Sequence, residues 1–334
     1  MGTSAAASLS PTVVCMGEIL IDFFPAELGR KIGDVTAFRP KPGGGPANVS
    51  VAIRKLGVSS ALISKVGDDA FGAHLIEAMG AEGVETRGMR VDARARTTLA
   101  FIAQPDPNHP EFVFYRNPGA DLLITPEELD RELIAGARAF QFGSLSLVDE
   151  PARSATREGV RLAHEAGALV AFDVNYRPSL WARPEDAVAQ ARVMIPGADV
   201  LKVNEVEIQL LAGGEGDLLA ASRKLLALGP RLIAVTLGPN GSFFCAEGAS
   251  GRVDPFVVET VDAVGCGDAF LGALLTRLTS SPDWHSRLTS ETLAADFRFA
   301  NAAGALTATR QGVIPALPTA EEVEGFLAVQ ESDS

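Results

Sequence analysis

The chain has 334 residues, 47% of them hydrophobic and 21% charged, an ordinary balance for a globular protein long enough to bury its own core. A net charge of -13 argues against a nucleic-acid backbone or an anionic membrane as partner. It does not exclude an anionic small ligand, because backbone N–H groups and a few placed cations hold phosphate locally. Three widely spaced cysteines, Cys15, Cys245 and Cys266, build neither a disulfide framework nor a zinc site, so reduced thiols in a cytoplasmic protein are expected.

In chain order, residues 1–10 are small and polar and read as a tail without the features of a secretory signal. No apolar run approaches the ~20 residues needed to span a membrane. Thr12–Gly17 reads as a buried strand, and Ile19–Phe24 as an extended piece carrying an acid, Asp22. Val49–Leu56 has helical spacing with Gly57 placed to end it. A strand at 61–66 and a helix at about 70–79 follow. Thr97–Ala103 and Phe112–Arg116 look like a hairpin with its loop at 105–110. Short apolar strands at 139–142, 168–172, 200–203 and 232–236 then alternate with helical segments. That rhythm implies an α/β fold with a mostly parallel sheet covered on both faces and ligands along the strand C-terminal edge. No repeat or linker divides the chain, so one domain over 11–330 is expected, with 331–334 as a second tail. Segments 18–41 and 95–117 are expected to form a small sheet standing off the body as a lid.

Two glycine runs carry chemistry. Lys41-Pro-Gly-Gly-Gly-Pro-Ala-Asn48 lets a ligand approach bare backbone, and places the Asn48 amide in the first turn of a helix. Asp262-Ala-Val-Gly-Cys-Gly-Asp268 opens a buried helix, so several N–H groups and the positive end of the helix dipole face outward as an anion hole. A carboxylate beside that hole, Asp268, is electrostatically unfavourable unless a base is needed there to deprotonate a hydroxyl attacking a phosphoryl group. The run is neither a Walker A loop nor a dinucleotide fingerprint. Polar residues also end three strands: Asp173-Val-Asn175-Tyr-Arg177, Lys202-Val-Asn204-Glu-Val-Glu207 and Thr236-Leu-Gly238-Pro-Asn-Gly241. The four histidines form no close sequence pair.

Taken together, the two runs resemble the signatures of the PfkB (ribokinase-like) carbohydrate kinases, and the likeness extends from about Val13 to Pro318. Phe114–Asp121, Phe142–Leu147 and Asp173–Trp181 resemble the fructokinases of that family most. The resemblance implies a three-layer sandwich with a β-sheet lid, ATP and Mg²⁺ as phosphoryl donor, and a homodimer formed through the lids. Asp268 would be the catalytic base, with Gly265, Cys266 and Gly267 holding the phosphoryl charge. Asp22, Gly43, Gly44 and Asn48 would bind sugar hydroxyls, with Arg116 reaching in from the lid and Asn175 and Arg177 near the sugar and phosphate. Asn204 and Glu207 would help place Mg²⁺, and Thr236, Gly238, Gly241, Asn301 and Gly304 would border the nucleotide. Asp262, the Val264 carbonyl and the loop Thr309–Ile314 resemble a K⁺ site.

Cys266 stands where the family usually has Ala, which raises the expectation of a thiol sensitive to oxidation or alkylation. Ala263 stands where Thr is usual, which weakens the K⁺ site. The resemblance puts D-fructose first as substrate. Its rivals are 2-keto-3-deoxygluconate, a ribokinase-type substrate, and a catalytically silent scaffold.

Overall fold

Side-chain alternation along the first strand, β1 (Val13–Met16), sends Val13 and Cys15 to one face and Val14 and Met16 to the other, and all four are buried. A strand apolar on both faces demands helices on both sides. The computed structural model describes residues 11–332 apart from 104, 106–110 and 215.

The remaining strands are β2 (Leu20–Pro25), β3 (Phe38–Gly43), β4 (Ser60–Gly67), β5 (Met89–Asp92), β6 (Leu99–Ala103), β7 (Glu111–Tyr115), β8 (Ala139–Gly143), β9 (Leu169–Asp173), β10 (Val200–Asn204), β11 (Leu232–Thr236), β12 (Ser242–Ala246) and β13 (Ala249–Val253). The helices are α1 (Gly45–Lys55), α2 (Ala70–Ala81), α3 (Arg131–Ala135), α4 (Ala152–Glu165), α5 (Pro184–Met194), α6 (Glu205–Ala212), α7 (Leu218–Leu226), α8 (Cys266–Leu278), α9 (Ser290–Ala308) and α10 (Ala320–Ser332).

Nine strands form the central sheet in the order β13-β12-β11-β10-β9-β8-β1-β4-β5. All neighbours from β11 to β5 run parallel, and only the β11–β12–β13 edge is antiparallel. One face packs against α1, α2, α8, α9 and α10, the other against α3 to α7. Phe140, Phe142 and Phe172 are fully buried on the second face, each contributing about 1.5–3 kcal/mol of hydrophobic stabilisation.

The second sheet, β3-β2-β6-β7, is the expected lid. Its faces are unlike. Asp22, Phe24 and Ile102 are buried on the side facing the body, whereas Phe23 and Phe101 stack at 4.6 Å on the other side, beside exposed Tyr115 and Val113.

Several expectations shift. Helix α1 begins at Gly45 and not at Val49, because Pro46 fits a first helical turn where its missing N–H costs nothing. Strands β5, β12 and β13 were not anticipated. Helix α10 runs through Ser332, taking in half of the expected C-terminal tail. The tail at 1–10 and most of the 105–110 hairpin loop lie outside the described residues.

Candidate active site

The C-terminal ends of the parallel strands and the inner face of the lid enclose the site. Gly265 caps α8 in the left-handed region (φ 84), and the first helical bond is Ala269 N–H to the Gly265 carbonyl at 2.9 Å. The amides of Gly267 and Asp268 therefore precede the helix's own hydrogen-bond ladder and are available to an anion. Lys202, buried on β10, adds a cation there: a Cβ on Gly267 would lie 3.0 Å from its Nζ. The ammonium is held by Asp173 at 3.0 and 3.2 Å. Burial alone would lower the Lys202 pKa, but the Asp173, Glu207 and Asp268 charges together raise it.

Asp268 sits in the first turn of α8, and its Oδ2 accepts a hydrogen bond from Asn48 Nδ2 at 2.8 Å. Burial and the nearby Asp173 carboxylate push its pKa up to about 6. Around it stand two more acids. Burial and the Asp268 charge push Asp22 up to about 8. Burial pushes Glu18 up to about 7, opposed by the Arg116 charge. The three meet at the glycine run. A Cβ on Gly43 would lie 1.9 Å from Asp22 Oδ2, and one on Gly45 would lie 3.0 Å from Asn175 Nδ2, 3.2 Å from Glu18 Oε1 and 3.8 Å from Asp268 Oδ1. Glycine is required at Gly43, and Gly44 (φ 109) turns the chain into α1. Arg177 holds its guanidinium 5.3 Å from the Phe112 ring of the lid and favours the charged forms of Asp22 and Asp268.

Beside this cluster of acids runs a groove of ≈ 530 Å³. Asn204, Thr236, Gly238, Gly241, Asn301 and Gly304, the residues expected to border a nucleotide, all line it, together with Cys266 and Gly267. Its far wall is apolar, formed by Pro255, Phe256, Val257 and Val258. Asn301 Nδ2 fixes that wall by donating to the carbonyls of Val253 at 3.3 Å and Asp254 at 3.1 Å.

Three expected residues act at one remove. Glu207 spends both oxygens on backbone N–H groups, of Tyr176 at 2.7 Å and Asn204 at 2.8 Å, and so braces two strand-end loops. Arg116 is folded onto Asp121 and the Leu145 carbonyl with its side chain buried. Asp262 accepts from Val264 N–H at 3.0 Å and Gly312 N–H at 3.1 Å, drawing together the two loops of the expected K⁺ site. The Cys266 thiol is only partly exposed, and burial together with the Asp262 and Asp268 charges pushes it up to about 12. A thiol held that high is little ionised at neutral pH, which weighs against a reactive one, since the thiolate is the reactive form.

Sequence reasoning missed Glu18, and it named Asp173 and Lys202 at strand ends without pairing them; for Glu18 nothing marked the role. A lysine interrupting an apolar strand, one strand over from an aspartate, was the signal for that pair.

Residues 10–320 match the model of the pfkB family carbohydrate kinases. The chain belongs to the PfkB family. Within it, the chain is 42% identical to "Probable fructokinase-2" of Arabidopsis thaliana over 98% of its own length and 99% of the relative's. Among solved structures it is similar to the fructokinase of Xylella fastidiosa with bound ATP, at a TM-score of 0.88 and 34% identity, covering 97% of this chain and 100% of that one. A fructokinase double mutant from Vibrio cholerae O395 with fructose, ADP and potassium bound is similar at 0.85 and 29%, covering 95% and 98%. The ribokinase-like fold with its separate lid is thus a family property, and the family's chemistry is phosphoryl transfer to a sugar hydroxyl.

Proposed function

We propose that the protein transfers the γ-phosphoryl group of ATP to the primary hydroxyl of D-fructose, giving fructose 6-phosphate and ADP. The observation that carries this reading is the placement of Asp268. Its carboxylate stands beside Asn48 and Gly45 among the buried acids beneath the lid, while the same helical turn contributes Cys266 and Gly267 to the long groove. Sugar beside those acids and nucleotide in the groove would meet at that turn. Asp268 takes the hydroxyl proton, the sugar oxygen bonds to phosphorus, and the bond to the ADP oxygen breaks. The amides of Gly267 and Asp268, with Lys202 nearby, face the charge carried by the phosphoryl group. Asn48 orients the base, and Asp22, Asn175 and Arg177 hold the sugar.

Mg²⁺ belongs to the nucleotide in this reading. No cluster of three His, Cys, Asp or Glu suited to a metal occurs among the described residues, and Glu207 has both oxygens engaged. The ion would ride on triphosphate oxygens above Asn204 and neutralise charge during transfer. K⁺ would be held by carbonyls of the Val264 and Thr309–Ile314 loops that Asp262 ties together. The apolar outer face of the lid, with Phe101 and Tyr115, suits a second copy of the chain. No helix of the described residues is long and apolar enough to cross a membrane, and unpaired Cys15, Cys245 and Cys266 suit the reducing cytoplasm.

The relatives named fructokinases rank fructose above the keto-deoxy sugar acid. The test is ADP release with MgATP across fructose, 2-keto-3-deoxygluconate, ribose, glucose, mannose and adenosine, with and without K⁺. Fructose should give the highest kcat/KM, and Asp268→Asn should lose ~10²–10⁴ in kcat while still binding ATP. Preference for the keto-deoxy acid would move the substrate, and wild-type turnover by Asp268→Asn would remove the assigned base.

A further inference from the structure

The segment Gln311–Val313, between α9 and α10, touches both halves of the enzyme. On the lid side, Lys41 of β3 donates from Nζ to the Gln311 carbonyl at 3.1 Å, and its charge lies 5.5 Å from the Phe24 ring centroid. Lys41 pairs with Asp22 across β2–β3, so it leaves the lid from the face that looks onto the sugar pocket. The fit is close, since a Cβ on Gly312 would lie 2.4 Å from that ammonium. Val313, fully buried, packs with Phe24 and Ile102 of the lid and with Val264 of the body. On the body side, Asp262 binds Gly312 N–H with one oxygen and Val264 N–H with the other. A Cβ on Gly265 would meet Val313 at 2.3 Å, and Gly265 is the left-handed residue that sets the first turn of α8.

We propose that Gln311–Gly312–Val313 is a mechanical bridge through which the position of the lid sets the geometry of the anion hole, with Lys41 and Val313 as its positioning residues. Close-packed contacts transmit displacement instead of absorbing it. A lid drawn down by sugar presses on Val313 through Phe24 and Ile102 and pulls on Gln311 through Lys41. Val313 passes the shift to Gly265, and Asp262 carries it to Val264. The consequence for binding rests on the sugar-kinase reading: sugar and nucleotide would bind with positive coupling, each favouring the same lid position.

Ligand-free protein supplies the first test. Hydrogen exchange in Lys41→Met and Val313→Ala should rise at the amides of 262–268 by about fivefold or more, with β1, β8 and β9 unchanged. Unchanged exchange at 262–268, or an equal rise throughout the chain, overturns the bridge. Fructose titrations with and without a non-hydrolysable ATP analogue and Mg²⁺ supply the second. Wild type should bind fructose about fivefold or more tightly when the analogue is present. Both variants should lose that gain while binding each ligand alone within about twofold of wild type. A gain retained in the variants overturns the bridge. If wild type binds no fructose but the exchange result holds, the bridge stands and the choice of fructose falls.

Discussion

The two halves of the cleft solve opposite problems. Under the lid, Glu18, Asp22 and Asp268 are buried close together, and burial raises the pKa of each. Across the Gly265 turn, the groove is lined by glycines, apolar side chains and a few polar ones, and the donors nearest the turn are backbone N–H groups and one lysine already paired with Asp173. One half gathers carboxyl groups whose burial favours the protonated form. The other offers a long groove with little side-chain charge of its own. Asp268 belongs to both, which suits it to the base proposed for it: it takes its raised pKa from the first and its address at the helix start from the second.

The largest expected effect comes from uncoupling the nucleotide half. Lys202→Met leaves Asp173 buried without its partner and should cost about 3–5 kcal/mol of stability, read from denaturant midpoints. Loss of less than about 1 kcal/mol would mean the pair is hydrated, and the contrast between the halves would weaken. On the sugar side, Gly43→Ala should raise the KM for fructose by roughly tenfold or more while leaving nucleotide binding nearly unchanged, because the new methyl occupies the space of Asp22 Oδ2. Equal losses for both substrates would argue that the glycine serves the fold alone.

The pH dependence separates catalysis from stability. With Asp268 near pKa 6, kcat should fall about fivefold between pH 6 and pH 5 as the base becomes protonated. Stability should run the other way. Asp22 is raised from 3.8 to about 8, so the folded state binds the proton more tightly than the unfolded chain, and its contribution is lost as pH rises across that window. Asp22→Asn should therefore be more stable than wild type at pH 8 by on the order of 1–3 kcal/mol, with the advantage disappearing near pH 4. Chemical unfolding at the two pH values decides it. The smallest effect expected is none: with its thiol pushed up to about 12, Cys266 should leave turnover unchanged after iodoacetamide treatment at pH 7.5. Rapid inactivation that a Cys266→Ala variant escapes would refute this.

Much of the architecture was legible where the chain repeats a simple period. The alternation of short apolar strands and helices placed the parallel sheet, and two polar-interrupted extended segments placed the lid. The β12–β13 hairpin was hidden because Ser242–Ala246 is buried without alternation and lies among Gly238, Gly241, Gly248 and Gly251, which read as turns. In the site, glycine runs announced Gly43 and Gly265 because few residues tolerate such backbone. Glu18 could not be read this way. A single acid after a strand looks like solvent-facing loop, and only the packing of α1 against β1 puts its Oε1 2.8 Å from Gly45 N. Glu207 illustrates the converse. Expected to help place Mg²⁺, it closes a capping box with Asn204, with both oxygens on backbone N–H groups.

Asn175 carries a further lesson. Among the described residues it is the one non-glycine at positive φ (39°), in the loop that follows β9. Glycine would take that backbone with less strain, yet the loop keeps an amide there, aimed at Gly45. Asn175 is thus a place where tolerance to heat and speed of turnover pull apart. An engineer seeking a hardier enzyme would find Asn175→Gly an easy gain in melting temperature, and would recover a slower catalyst.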